Sequence, residues 1–147
     1  MANNIITTSL KLIDDKVKLL SEITQKPPIL TDYFPPLGTI GESDGYIPLE
    51  LILASFASCL STTLLIIFRN QMKKSVTSLS ADTKGFQRYE MPKIIEKIII
   101  DINIESPDIS DADFKEALKT AENICPVWAM LKGNVQIEIN YNLSDAA

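Results

Sequence analysis

The stretch Pro48-Leu-Glu-Leu-Ile-Leu-Ala-Ser-Phe-Ala-Ser-Cys59-Leu-Ser-Thr-Thr-Leu64 decides the fold. It is apolar over nearly its whole circumference, which marks a helix buried in a core. Pro48 suits the first helical position, because the N–H it lacks has no partner there. Glu50 favours the positive end of the helix dipole. The helix is expected to run to about Lys74. From Leu49 to Phe68, Glu50 is the only charge, and such a stretch is long enough to span a bilayer. Ser55, Ser58, Ser61, Thr62 and Thr63 soften it, and the rest of the chain alternates like a soluble sheet. The expectation is therefore a core helix, completed by a second subunit, with no membrane.

The surrounding composition agrees. The chain has 147 residues, 46% of them hydrophobic, and a net charge of −5. That is one domain, residues 1–147, with enough apolar material for a core without disulfide staples. No basic stripe with interleaved aromatics is present, so nucleic acid is not an expected partner. The N-terminus has no charged region followed by a long apolar run, so it does not read as a signal peptide. The expected location is cytoplasmic.

Outward from the helix, the pattern has period two. Leu10–Ile13 and Lys16–Ile23 read as strands around a turn at Asp14-Asp15, and Ile29–Asp32 as a short third strand. Residues 35–48 carry three prolines and three glycines and read as a loop. Beyond the helix, Val76–Tyr89 is an expected strand, bent near Gly85. Ile98, Ile100, Ile102 and Ile104 alternate with Lys97, Asp101, Asn103 and Glu105, with Ile99 as the exception. That is a half-buried strand. Ser110-Asp-Ala-Asp113 opens a second helix in the manner of a capping box. Phe114, Ala117, Leu118, Ala121 and Cys125 follow at helical spacing. Val135, Ile137, Ile139 and Tyr141 alternate in a last strand. The order is β-β-β-α-β-β-α-β with a long central helix, an α+β architecture.

The chain has two cysteines, Cys59 and Cys125, and no histidine. Chemistry beyond binding must then use sulfur, carboxylates or lysines. Ser55 and either Thr62 or Thr63 share the helix face of Cys59. Such a setting suits a reactive thiol, and it equally suits a small residue in tight packing. Cys59 lies well past the helix start, so the dipole does little to favour its anion. Pro126 disfavours helical geometry at Cys125, so the second helix should stop there. Trp128 can wall a pocket or anchor a core. Glu50 stands nine residues before Cys59, about 180° away around the helix, and is first a helix-start residue.

Two motifs together resemble the OsmC/Ohr family of thiol-dependent peroxidases. One is Pro48-Leu-Glu50-Leu-Ile-Leu-Ala54-Ser-Phe-Ala57-Ser-Cys59. The other is Ala121-Glu-Asn-Ile-Cys125-Pro126-Val127, followed by Leu131-Lys-Gly133-Asn and the last strand. The resemblance covers Ile13–Leu143 and is weakest before Pro48. It implies an intertwined homodimer with sites at the subunit interface. It also implies a peroxidatic Cys59 and a resolving Cys125, supported by Glu50, Ser55 and Thr62. No bound cofactor or metal is implied; the reductant would be an external dithiol, and the substrate an organic hydroperoxide or hydrogen peroxide.

The characterised peroxidases of the family activate the thiolate with an arginine from the N-terminal region. This chain has only Arg69 and Arg88. Their glutamate also falls one position earlier, where Leu49 stands. Lys16, Lys18, Lys26 or a partner's copy of Arg88 are the candidate substitutes. The expected function is a two-cysteine peroxidase. The alternative is an OsmC-fold ligand-binding or redox-sensing protein without efficient peroxidase turnover.

Overall fold

The computed structural model describes residues 5–33 and 45–145. The described part divides between Leu51 and Ile52, early in the long helix, into two compact units.

The first unit is a three-stranded antiparallel meander. Its strands are β1 (Ser9–Leu12), β2 (Leu19–Glu22) and β3 (Ile29–Thr31). The connection from β1 to β2 is wider than a tight turn at Asp14-Asp15. Ile13 donates its N–H to the Lys18 carbonyl at 3.0 Å. The Asp14 carboxylate accepts the N–H groups of Lys16 and Lys18 at 2.9 and 3.0 Å. Aspartate holds such turns because its short side chain reaches backbone two or more residues on. Tyr46 bridges to Thr31 in parallel. Gly45 is required there, because a Cβ would stand 2.8 Å from the Asp32 nitrogen. Most of the expected loop at 35–48 lies outside the described residues.

The long helix α1 runs Pro48–Ile66. Pro48 opens it as expected, and the Glu50 carboxylate accepts the Ile47 N–H at 2.8 Å. From Ile67 to Gln71 the coil widens to a π-helical turn. Lys73 then adopts φ 57° and ends it. The helix thus closes slightly before Lys74, because a left-handed residue cannot continue a right-handed coil.

The second sheet joins β4 (Ser78–Gln87), β5 (Ile95–Glu105) and β6 (Gln136–Ser144). β4 and β5 are antiparallel, and β5 and β6 parallel. The pairing passes straight through Gly85, and the irregularity falls at Phe86/Gln87. Gly85 leaves room for Leu53, whose methyl would lie 3.0 Å from an added Cβ.

A parallel pair needs a crossover, here made of α2 (Asp111–Ile124) and a short α3 (Pro126–Leu131). Ser110 and Asp113 form the expected reciprocal cap, with N–H to oxygen distances of 3.1 and 2.9 Å. α3 goes beyond the expected element order. Six residues are too few to show a period, and only the proline at its first position announces it.

The core is one layer of side chains between the sheet and the helices. Ile98, Ile100, Ile102 and Ile104 are buried. Their neighbours in register on β6 are Ile137, Ile139, Tyr141 and Leu143. α1 contributes Phe56, Leu60, Leu64, Ile67 and Phe68, and α2 contributes Phe114, Ala117 and Ala121. Phe114 is the hinge of this layer. Its ring stacks on Tyr141 at 3.9 Å and meets Phe68 at 5.7 Å. The other sheet face is polar and carries the Lys97–Glu138 ion pair.

Phe114→Ala should therefore destabilise the protein by about 3–5 kcal/mol, because it opens a cavity between two rings. Ser110→Ala, which removes one cap, should cost about 1 kcal/mol. Urea unfolding of both variants checks the ratio; equal losses would show that the Phe114 site collapses around the cavity.

Candidate active site

The two cysteines are brought together. Cys125 directs its thiol at the Cys59 sulfur, with the sulfurs 3.3 Å apart. Both are free thiols. Pro126 accounts for the position of Cys125. A residue before proline is driven out of helical geometry, and Cys125 has φ −71° and ψ 114°. Its backbone is nonetheless held at both ends. Its N–H donates to the Ala121 carbonyl at 2.8 Å, closing α2. Its carbonyl accepts the Ala129 N–H at 3.0 Å, opening α3.

The two sulfurs differ in environment. Cys125 is fully buried, whereas Cys59 is partly exposed on α1. Burial pushes the Cys125 thiol up from its ordinary value, since a thiolate there would lose its water. The Trp128 backbone N–H, in the first turn of α3, is the main group opposing this. The Cys59 sulfur adds to the rise, and the Thr63 hydroxyl opposes it least. Thr63 has one hydroxyl proton and already donates to the Cys59 carbonyl at 2.8 Å. No cation is among the groups acting on Cys125.

The Trp128 ring is a core anchor rather than an open wall. It is 7% exposed and lies against Phe56, ring centres 5.9 Å apart. Phe56 precedes Cys59 by three residues on α1, so this ring pair fixes α3 to the helix turn that carries Cys59. Among the described residues no group of three His, Cys, Asp or Glu side chains is placed to hold a metal ion.

A family model described as OsmC-like protein matches residues 41–140. The chain belongs to the OsmC-like family. No curated protein matches it. Solved structures with the same fold include a hypothetical protein from Aquifex aeolicus VF5. It is 23% identical with a TM-score of 0.80, covering 99% of this chain and 100% of that one. An OsmC-like protein from Mycoplasma pneumoniae is 21% identical with a TM-score of 0.78, covering 100% of both chains. An organic hydroperoxide resistance protein OsmC from Legionella pneumophila is 18% identical with a TM-score of 0.72, covering 95% of this chain and 99% of that one.

Set in this OsmC-like frame, the other expected site residues stand as follows. Thr62 is exposed, and the threonine at the sulfurs is its neighbour Thr63. One residue is 100° of rotation on a helix, so i+3 and i+4 fall on opposite sides of Cys59. Ser55 is also exposed. Glu50 is engaged with the Ile47 N–H at the helix start. Arg88 donates its Nε–H to the Pro92 carbonyl at 2.6 Å. Arg69 is exposed in the π-helical turn, roughly 15 Å of helix rise beyond Cys59. The Trp128 N–H had no signature in the sequence, because it depends on the unforeseen α3.

The raised Cys125 thiol has a consequence for stability. The fold holds this proton more tightly than the unfolded chain does. Its contribution is fully present below the ordinary thiol value of 9.0 and is lost as pH rises through the raised one. Under reducing conditions, wild type should lose more stability than Cys125→Ala between about pH 8 and about pH 11. Urea midpoints across that range test this; parallel pH profiles for the two proteins would contradict it.

Proposed function

We propose that this OsmC-like protein is a thiol-dependent peroxidase working through Cys59 and Cys125. The observation that carries the reading is the sulfur pair itself, 3.3 Å apart, one member half-buried and the other buried. The family includes proteins described as organic hydroperoxide resistance proteins, which supports a redox role toward peroxides.

Each step balances. The Cys59 thiolate attacks one peroxide oxygen, the O–O bond breaks, and the other oxygen leaves as alcohol or water after taking a proton. Cys59 is then a sulfenic acid. The Cys125 sulfur attacks the Cys59 sulfur, the S–O bond breaks, and the hydroxide leaves as water with the Cys125 proton. The sulfurs need close by little more than 1 Å, since a disulfide bond is about 2.05 Å long. An external dithiol returns both thiols by exchange and is itself oxidised. Slow turnover, as in a redox sensor, is favoured by one observation: Arg69 lies roughly 15 Å of helix rise beyond the Cys59 of its own subunit.

A homodimer is part of this proposal. α1 and its π-helical turn, Pro48–Gln71, have the length and composition of a membrane span, with a mean hydropathy of 2.2. Yet Phe56, Leu60, Leu64, Ile67 and Phe68 are sunk in the sheet core. Ile52 and Ile66 remain 41% and 48% exposed on the helix. A second copy of α1 laid on that face would cover them and bring both Cys59 residues to an interface.

Three outcomes are expected. Cys59→Ser should abolish peroxide consumption, while Cys125→Ser should consume one equivalent and stall as sulfenic acid. Non-reducing peptide mapping of wild type after one equivalent should find a Cys59–Cys125 disulfide. If only separate sulfinic and sulfonic acids form, Cys125 does not resolve. Light scattering should give a dimer at micromolar concentration, and a stable monomer of 16.3 kDa would remove the dimer.

A further inference from the structure

A thiol in mid-helix still has to be made nucleophilic. The helix dipole fades within a turn of the N-terminus, and Cys59 lies well beyond it. Arg88 is tied to its own hairpin, and Arg69 is about 15 Å further along the helix. The lysines of the same unit that form ion pairs do so elsewhere: Lys74 with Asp113, Lys97 with Glu138, Lys115 with Asp111 and Lys132 with Glu122. The group that does reach the Cys59 sulfur is the Cys125 thiol.

Resting on the reading of Cys59 as the nucleophile, we propose that Cys125 is also a positioning residue in the reduced protein. Its thiol donates a hydrogen bond to the Cys59 sulfur and so activates Cys59 before any peroxide arrives. A hydrogen bond to the charged form of a group favours that form, and a bond to an anion is stronger than one between neutral groups. The distance, 3.3 Å, is within reach for sulfur. The donor is well fixed. Pro126 holds Cys125 out of the helix, and hydrogen bonds to Ala121 and from Ala129 pin its backbone. Burial keeps the proton on Cys125, the sulfur that donates. The titratable group facing Cys125 is Cys59 alone; the other two are the Trp128 N–H and the Thr63 hydroxyl. The device also links the two halves of the cycle. The proton that activates Cys59 in the first half departs as water in the second.

The test compares Cys125→Ser, which keeps a hydroxyl donor, with Cys125→Ala, which keeps none. Thiolate absorbance near 240 nm, read on the reduced proteins at pH 7, reports the charge on the remaining Cys59. The serine variant should stay within about twofold of wild type, and the alanine variant should fall about tenfold, the change expected for one lost charge-assisted hydrogen bond. Iodoacetamide alkylation should slow less, roughly threefold, because a more basic thiolate is a better nucleophile. Circular dichroism confirms that both variants are folded. Equal absorbance in the two variants, whether high or low, overturns the proposal. Peroxide consumption is scored separately. A serine–alanine difference in a protein that never consumes peroxide removes the peroxidase reading and keeps this one. Peroxide consumption without that difference does the reverse.

Discussion

Pro126 governs more of this molecule than any other single residue. Its ring forbids helical geometry at Cys125, and so splits what would be one helix into α2 and α3. The split leaves Cys125 at a corner whose backbone still has a full set of partners, with its N–H in α2 and its carbonyl in α3. A corner so tied costs little at Cys125, because both of its backbone polar groups are paired. It also aims the side chain. At the corner the Cys125 sulfur meets Cys59.

That meeting depends on packing around it. The Phe56–Trp128 ring pair joins α1 to α3 on one side of the sulfurs. The Phe68, Phe114 and Tyr141 rings join α1 to α2 and β6 further along. Both ring contacts lie on the α1 face that also carries Leu60 and Leu64. α1 is therefore located against the crossover at two points, and Cys59 lies nearer the first. Aromatic pairs add modestly to the burial of their area, about 0.5–1.5 kcal/mol each. Their larger effect here is geometric: a thiol pair 3.3 Å apart tolerates little sliding between helices.

Much of this was legible in the sequence. The isoleucines at 98, 100, 102 and 104 announce their strand by strict alternation. Ser110 and Asp113 announce a helix start by their spacing, and Pro126 announces a break. These signals are local, and the physics behind each acts within a few residues. The illegible parts are of two kinds. α3 is too short to show a period, so the Trp128 N–H could not be foreseen. The choice of Thr63 over Thr62 depends on where the Cys125 sulfur lies around the axis of α1. No pattern along α1 carries that information, because it comes from a residue 66 positions away. The long helix is ambiguous for a different reason. Its composition satisfies the test for a membrane span because its exposed face is apolar as well as its buried one.

The inequality of the two sulfurs follows from burial alone. A neutral thiol behaves as a small hydrophobe and is at home in a core. A thiolate there loses its water, and the Trp128 N–H and the Thr63 hydroxyl offset that loss only in part. Of the two adjacent thiols, the buried one therefore holds its proton. In the proposed cycle solvent access favours Cys59 as the first to react, because a peroxide would approach from outside. The proposed division of roles between Cys59 and Cys125 thus needs no difference in their intrinsic chemistry. It follows from which side of a helix corner each sulfur occupies.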